Sequence, residues 1–257
     1  MLMTGHGVPL DAAEGVKWFQ RSADQGYALG QNNLGYTYAL GRGVQQDWAK
    51  AMYWCYEAAK RGNARAQLNM AMAYQTGQGV DQDLATAVKW LRKAAQQGNS
   101  VGQMGLGLAL MRGSGATKNM TEAVKWYQSA ANQGFAPAQN NLADAYENGY
   151  GVEVDLTQAL KWYTLAAEQK YATAIYSLSQ MHADGRGVAK DPDKALHMLN
   201  DAAELGQPGA QYALAQRYAD GNGVTKDASA AAQWYRKAAK SGMPAARDKR
   251  RELGLEN

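Results

Sequence analysis

The residues that could do chemistry are few and scattered. Three histidines, His6, His182 and His197, could serve as metal ligands or acid–base groups. They fall at different places in the chain's pattern, and none has a cysteine or a carboxylate at ligand spacing. Cys55 is the only cysteine, so an intramolecular disulfide is excluded. It lies beside Trp54 on an apolar face and reads as a small buried hydrophobe. Seven Gly-x-Gly pairs, from Gly5/Gly7 to Gly221/Gly223, invite comparison with phosphate loops. They follow helical rather than strand patterns, and no Gly-Lys-Ser/Thr accompanies them. Carboxylates are plentiful, but most stand where helices begin. No catalytic set, metal site or cofactor site emerges.

Charge narrows the partners. The formal net charge is +4 and the sequence pI is about 9.0. The cations are dispersed: Lys17, Lys89, Lys125 and Lys161 recur one per unit opposite the apolar face, as on a solvated helix. Nucleic-acid binding calls for a clustered patch with interleaved aromatics. The one cluster, at 247–251, is interrupted by Asp248. No run of 18 apolar residues is present, so no helix is expected to span a membrane.

What organises the chain is a period of 36 residues, marked by the Gly-x-Gly pairs beginning at Gly5, Gly41, Gly77, Gly113, Gly149, Gly185 and Gly221. A fixed period of this length means a stacked array in which each unit buries its apolar face on its neighbours. Thirteen residues after each first glycine comes Trp18, Trp54, Trp90, Trp126, Trp162, Met198 or Trp234. Apolar residues surround it at helical spacing, as at Ala87, Trp90, Leu91, Ala94 and Ala95. These tryptophans are expected between the helices, as core.

Asp11, Asp47, Asp83, Asn119, Asp155, Asp191 and Asp227 stand where that helix should start, as N-caps. Asp11 with Glu14, Asn119 with Glu122 and Asp155 with Gln158 read as capping boxes. Gly26, Gly62, Gly98, Gly134, Gly206 and Gly242 stand where it should stop, whereas the fifth unit has Lys170. If that helix ends like the others, Lys170 takes a left-handed conformation. A second helix follows, with apolar positions such as Leu34, Gly35 and Tyr38. Gln31, Gln67, Gln103, Gln139 and Gln211 recur in it and are expected to bond backbone groups of the adjacent unit; a functional row of amides is the alternative.

The pattern LG..Y..G.GV..D...A..W...AA..G, seen as LGYTYALGRGVQQDWAKAMYWCYEAAKRG at 34–62, resembles the Sel1-like repeat, a relative of the tetratricopeptide repeat. Departures are Ala116, Lys170 and Met198. The resemblance implies an all-α, right-handed α/α solenoid of about six to seven helix–turn–helix units. Residues 1–257 would form one domain, with units beginning near 5, 41, 77, 113, 149, 185 and 221 and a cap at 244–257. It implies a non-catalytic scaffold or adaptor for another protein. Some bacterial Sel1-like proteins neutralise toxic effectors of type VI secretion, so an immunity protein is the alternative and a hydrolase the remote one. Some secreted Sel1-like proteins carry a disulfide in each repeat and have been connected with β-lactams. This chain lacks that framework and has no S-x-x-K, which weakens an enzymatic reading.

In tetratricopeptide-like arrays the LG..Y helices line the concave face. Positions two before and two after the core leucine, and one turn further on, fall on its exposed side. In this chain they are Asn32 and Tyr36, then Leu68, Met72 and Gln75, then Met104, Leu108 and Met111. The later units give Asn140, Asp144 and Glu147, then Tyr176 and Gln180, then Tyr212 and Gln216. A partner helix or loop is expected here, with apolar anchors over 68–111 and basic groups toward Asp144 and Glu147. The alternative is a superhelix tight enough to bury these residues as extra core. The first residues, Met1 to Thr4, stand where an LG..Y helix would end. The protein is expected in the periplasm if a leader has been removed, and otherwise in the cytoplasm.

Overall fold

The computed structural model describes residues 11–252; Met1–Thr4, the pair Gly5/Gly7, His6 and the last five residues of the expected cap lie outside them. Among the described residues all regular structure is helical, in fourteen helices. The chain divides into two compact units, Met1–Gln133 and Gly134–Asn257. The first holds α1 (Ala12–Asp24), α2 (Ala28–Leu40), α3 (Trp48–Lys60), α4 (Ala64–Thr76), α5 (Leu84–Gln96), α6 (Ser100–Arg112) and α7 (Met120–Ala131). The second holds α8 (Ala136–Asn148), α9 (Leu156–Glu168), α10 (Ala172–Asp184), α11 (Pro192–Glu204), α12 (Pro208–Asp220), α13 (Ala228–Lys240) and α14 (Pro244–Glu252).

Every expected N-cap is in place. Asp47, for example, accepts the Lys50 backbone N–H at 3.0 Å, and Asp83 accepts that of Thr86 at 3.0 Å. Half of each expected capping box forms, since Asp11, Asn119 and Asp155 accept the N–H of Glu14, Glu122 and Gln158; the return bond is a correction at Asn119 and Asp155. The N-cap's own N–H, which the box would leave to the glutamate, donates instead to a carbonyl nine residues back. Asn119 N–H reaches Leu110 O at 2.9 Å, and Asp155 N–H reaches Tyr146 O at 2.9 Å. The loop thus staples each helix to the one before it. Glu122 is freed to accept from Arg92 at 2.8 Å and from Trp126 Nε1 at 3.2 Å, and Glu14 pairs with Lys17.

The Gly-x-Gly loop has two separate demands. Gly41 ends α2 in the left-handed region at φ 66°. Gly115, at φ 76°, lies so close to α5 that a Cβ would stand 2.1 Å from the Leu84 carbonyl oxygen. A side chain there would break both conformation and packing. Lys170 takes φ 59°, the only described non-glycine residue with positive φ, as the sequence implied.

The core falls one residue away from the expected place. Trp90 and Trp162 are buried at 8% exposure, but Trp54, Trp126 and Trp234 are only half-buried and Trp18 is 54% exposed. The residue after each of these tryptophans, and after Met198, is the deeper one. Cys55, Leu91, Tyr127, Tyr163, Leu199 and Tyr235 are all buried, the tyrosines at 1–2% exposure. They meet the small residue of the LG..Y helix: a Cβ on Gly107 would lie 2.6 Å from the Tyr127 ring, and one on Gly35 2.7 Å from Cys55 Sγ. The tryptophans lie at the edge of the layer, where Lys93 and Lys237 cover the rings of Trp90 and Trp234 at 4.5 and 3.7 Å.

Candidate functional site

Gln67, Gln103 and Gln211 are structural on both ends of the amide, whereas Gln31 donates to Ala23 O at 3.4 Å and its buried Oε1 has no partner among the described residues. Gln67 donates from Nε2 to Ala59 O at 3.2 Å, eight residues back, and Gln103 does the same to Ala95 O at 3.3 Å. Their Oε1 atoms accept from Gln97 at 2.8 Å and Gln133 at 2.7 Å, thirty residues on. In the second unit Gln169 bonds Gln139 at 2.8 Å and Ser241 bonds Gln211 at 3.1 Å. The amides are therefore buried joints between one repeat and the next.

The chemistry-bearing residues stay apart. Burial pushes the Cys55 thiol up to about 11, against a contribution from the Asn69 amide that lowers it. A thiol held protonated in this way is a poor nucleophile. His197 Nδ1 stands 3.3 Å from Asp201 Oδ2, a carboxylate neighbour one turn on that the sequence reading did not credit to it; both are exposed. His182 is buried, and its Nδ1 has no partner among the described residues. No group of three His, Cys, Asp or Glu residues that could hold a metal ion occurs among them. No helix among them is long and apolar enough to cross a membrane.

The residues expected on the LG..Y face divide sharply. In the first unit Tyr36, Met72 and Gln75 are exposed, Met72 at 57%. Leu68, Met104, Leu108 and Met111 are half-buried, and Leu68 and Met111 pack on the core. Asn32 is a correction: it is buried, because its Oδ1 accepts from Asn69 Nδ2 of the next LG..Y helix at 3.0 Å. In the second unit Asn140 is also buried rather than exposed, and its Oδ1 has no partner among the described residues. Asp144, Gln180 and Gln216 are exposed. Tyr176 packs on the core around Leu199, and Tyr212 lies edge-on to Tyr235 at 5.5 Å, so these two act partly as extra core.

Glu147 is 10% exposed at its side chain and already partnered. Arg186 pairs with one oxygen, and Tyr163 donates to the other at 2.8 Å. The basic group expected from a partner is supplied by the chain itself. Although Asp144 keeps an exposed side, the protein atoms crowding its carboxyl, then the Glu147 charge, hold that carboxyl above its ordinary value.

Two apolar recesses open on the first unit. One, of about 330 Å³, lies between Tyr36 and Leu40 of α2, Trp48 and Met52 of α3, and Met72 of α4. The other, of about 430 Å³, lies between Leu68 and Met72 of α4 and Met104, Gly105 and Leu108 of α6, with Leu84, Val101 and Arg112 on its lip. Met72 and Asn69 line both. The sequence reading missed Leu40, Trp48, Leu84, Val101 and Arg112, because they come from helix ends rather than from the mid-helix positions it sampled. A signal was available: Trp48 and Leu84 are apolar residues just after the N-cap, where solvent would favour polar ones.

The Sel1 repeat family model matches residues 1–27, 28–63, 64–99, 100–135, 136–171, 172–207 and 208–243. The chain belongs to the Sel1 repeat family. The Sel1 repeats are phased on the LG..Y helix, so each ends shortly after the tryptophan helix. A Sel1 repeat protein from Oxalobacter formigenes is 30% identical, with a TM-score of 0.81 over 89% of this chain and 96% of that one. A protective antigen of uropathogenic Escherichia coli strains displaying an SLR fold is 38% identical, with a TM-score of 0.81 over 95% of this chain and 52% of that one. The chain thus spans about half the length of that relative. An immunity protein from Pseudomonas aeruginosa, 21% identical with a TM-score of 0.55, shares the fold. No curated protein matches the chain. The fold is an all-α solenoid of Sel1 repeats. Sel1 repeat proteins generally mediate protein–protein interaction, and the Sel1 scaffold is generally non-catalytic.

Proposed function

We infer that this Sel1 repeat chain is a non-catalytic scaffold that binds another protein along its LG..Y helices. The expected concave groove is its binding surface, with the first unit supplying the apolar contacts. The observation that carries this reading is the pair of recesses flanking Met72. Their walls are apolar, and Tyr36, Met72, Leu84 and Val101 remain exposed around them. A face meant only for water would carry polar side chains there. Contiguous exposed apolar surface marks a partner site, and methionine adapts to varied shapes. The dispersed chemistry of Cys55, His182 and His197 supports binding rather than catalysis.

The experiment is photo-crosslinking in the source cells. A benzophenone amino acid is placed at Leu108, and at Lys89 on the opposite face as control. A discrete adduct from position 108, identified by mass spectrometry and absent from position 89, is the expected result. Adducts from position 89 alone would move the binding surface to the tryptophan helices and overturn this reading.

A further inference from the structure

The second recess lies at a joint whose two residues differ from those of the joint before it. Between α2 and α4 the joint is an amide pair, Asn32 with Asn69 at 3.0 Å. One repeat on, the same two positions are Leu68 and Gly105. Neither carries an amide, and Gly105 is the smallest residue at its position, where other repeats have Asn69, Asn141, Ser177 and Ala213. A Cβ on Gly105 would find only Leu91 Cδ2 within 3.0 Å, the end of a flexible side chain. Glycine is also among the poorest residues for a helix interior. Nothing in its backbone calls for it, since the left-handed φ of the loop glycines is absent here. Leu68 and Gly105 line the 430 Å³ recess, whose size falls in the range of binding pockets, roughly 300–1,000 Å³.

The two recesses repeat with the array. Tyr36, Met72 and Leu108 hold one position in successive repeats, as do Trp48 and Leu84. Neighbouring packed helices lie about 8–10 Å apart, so the sockets are separated by roughly that distance. Side chains seven residues apart on a helix project from one face about 10 Å apart. Charge completes the pattern. Arg112 is the only charged residue lining either recess; it is exposed and makes no ion pair among the described residues.

We propose that the first unit binds an amphipathic helix of a partner protein, two large apolar side chains seven residues apart filling the two recesses, and an acidic side chain beside the second meeting Arg112. This deepens the scaffold reading and rests on it. The helix-in-groove mode uses this kind of spaced anchor. A bound carboxylate on Arg112 gives orientation, because only one direction along the array places the acid beside the 430 Å³ recess.

The test uses a display library of random 16-residue peptides, selected on the intact chain. Three variants are then assayed with the selected peptides: Gly105→Leu, which fills the recess and favours the helix, Arg112→Glu, and Met72→Asp. Circular dichroism melting confirms that each folds. The expected result is convergence on two large apolar residues at i and i+7 with Asp or Glu beside one. Gly105→Leu and Met72→Asp should each weaken binding by tenfold or more. Arg112→Glu should lose the acidic peptides and select Lys or Arg at that place. Selected peptides that bind all three variants as well as wild type would overturn the proposal while leaving a protein-binding scaffold standing. If no peptide is selected on any face, the scaffold reading and the proposal fall together.

Discussion

Gln97 donates from Nε2 to Gln67 Oε1 at 2.8 Å, thirty positions back along the chain. The bond ties the end of the tryptophan helix to the start of the LG..Y helix that precedes it, within one Sel1 repeat. The same link recurs at 103/133 and 139/169. At 175 and 205, the next positions in the series, both amides are replaced together, by Ile175 and Leu205. Losing one partner would strand a buried acceptor, whereas losing both removes the need for either.

That pairing predicts non-additive mutations. Gln97→Leu alone should cost about 1–3 kcal/mol, because Gln67 Oε1 stays buried without its donor. The double change Gln67→Ile with Gln97→Leu, copying the natural exception, should cost less than the two single changes added. Urea denaturation of the four proteins measures the coupling, which should exceed about 0.5 kcal/mol. Strict additivity would mean that the amides do not act as a joint.

Lys170 is the one described side-chain-bearing residue at positive φ. Its left-handed conformation strains a residue with a Cβ by roughly 1–2 kcal/mol. Lys170→Gly should therefore raise the melting temperature, with part of the gain offset by the greater freedom of glycine in the unfolded chain. A fall on calorimetry would show that the lysine side chain contributes more than its backbone costs.

Core truncations should rank by depth rather than by size. Tyr127 is 2% exposed and meets Gly107, so Tyr127→Ala should cost about 3–5 kcal/mol. Trp126→Ala should cost less, and Trp18→Ala less than about 1 kcal/mol, since Trp18 is largely in solvent. Chemical denaturation of the three variants checks the order.

Cys55 predicts an alkaline limb. Burial pushes its folded thiol up to about 11, against 9.0 for the ordinary group. As pH rises through 9 the unfolded chain loses this proton first, so the folded state binds more protons and stability falls. The contribution is fully present below about pH 9 and is lost by about pH 11. The full loss is about 2–3 kcal/mol. Comparing wild type with Cys55→Ala across that window isolates the term: wild type should fall more steeply. Parallel curves would contradict the burial of the thiol.

The fold was legible because punctuation and period agree. Gly41, Asp47 and Gly62 state one helix's limits in terms of backbone chemistry that does not depend on neighbours. The position of the core was less so. Trp54 and Cys55 are adjacent on one helix, and a size argument favours the tryptophan. Depth is decided by which of them faces the small residue of the LG..Y helix, here Gly35, and that is a matter between helices. The face positions failed for a related reason. Asn32 looks solvent-facing on its own helix and is covered by Asn69 of the next. Glu147 looks free until Arg186, 39 residues away, reaches it. The recess at Gly105 had a trace in the sequence, a glycine in mid-helix, but its meaning depends on which residues of α4 and α6 face each other, and that is a matter between helices.

The most direct test of the account is the affinity of the crosslinked native partner for the double variant Met72→Asp with Leu108→Asp. Both changes place charge on the walls of the recesses without entering the buried core. With folding confirmed by circular dichroism, calorimetric titration should show a loss of at least a hundredfold. An affinity within threefold of wild type would contradict the claim that this face binds the partner.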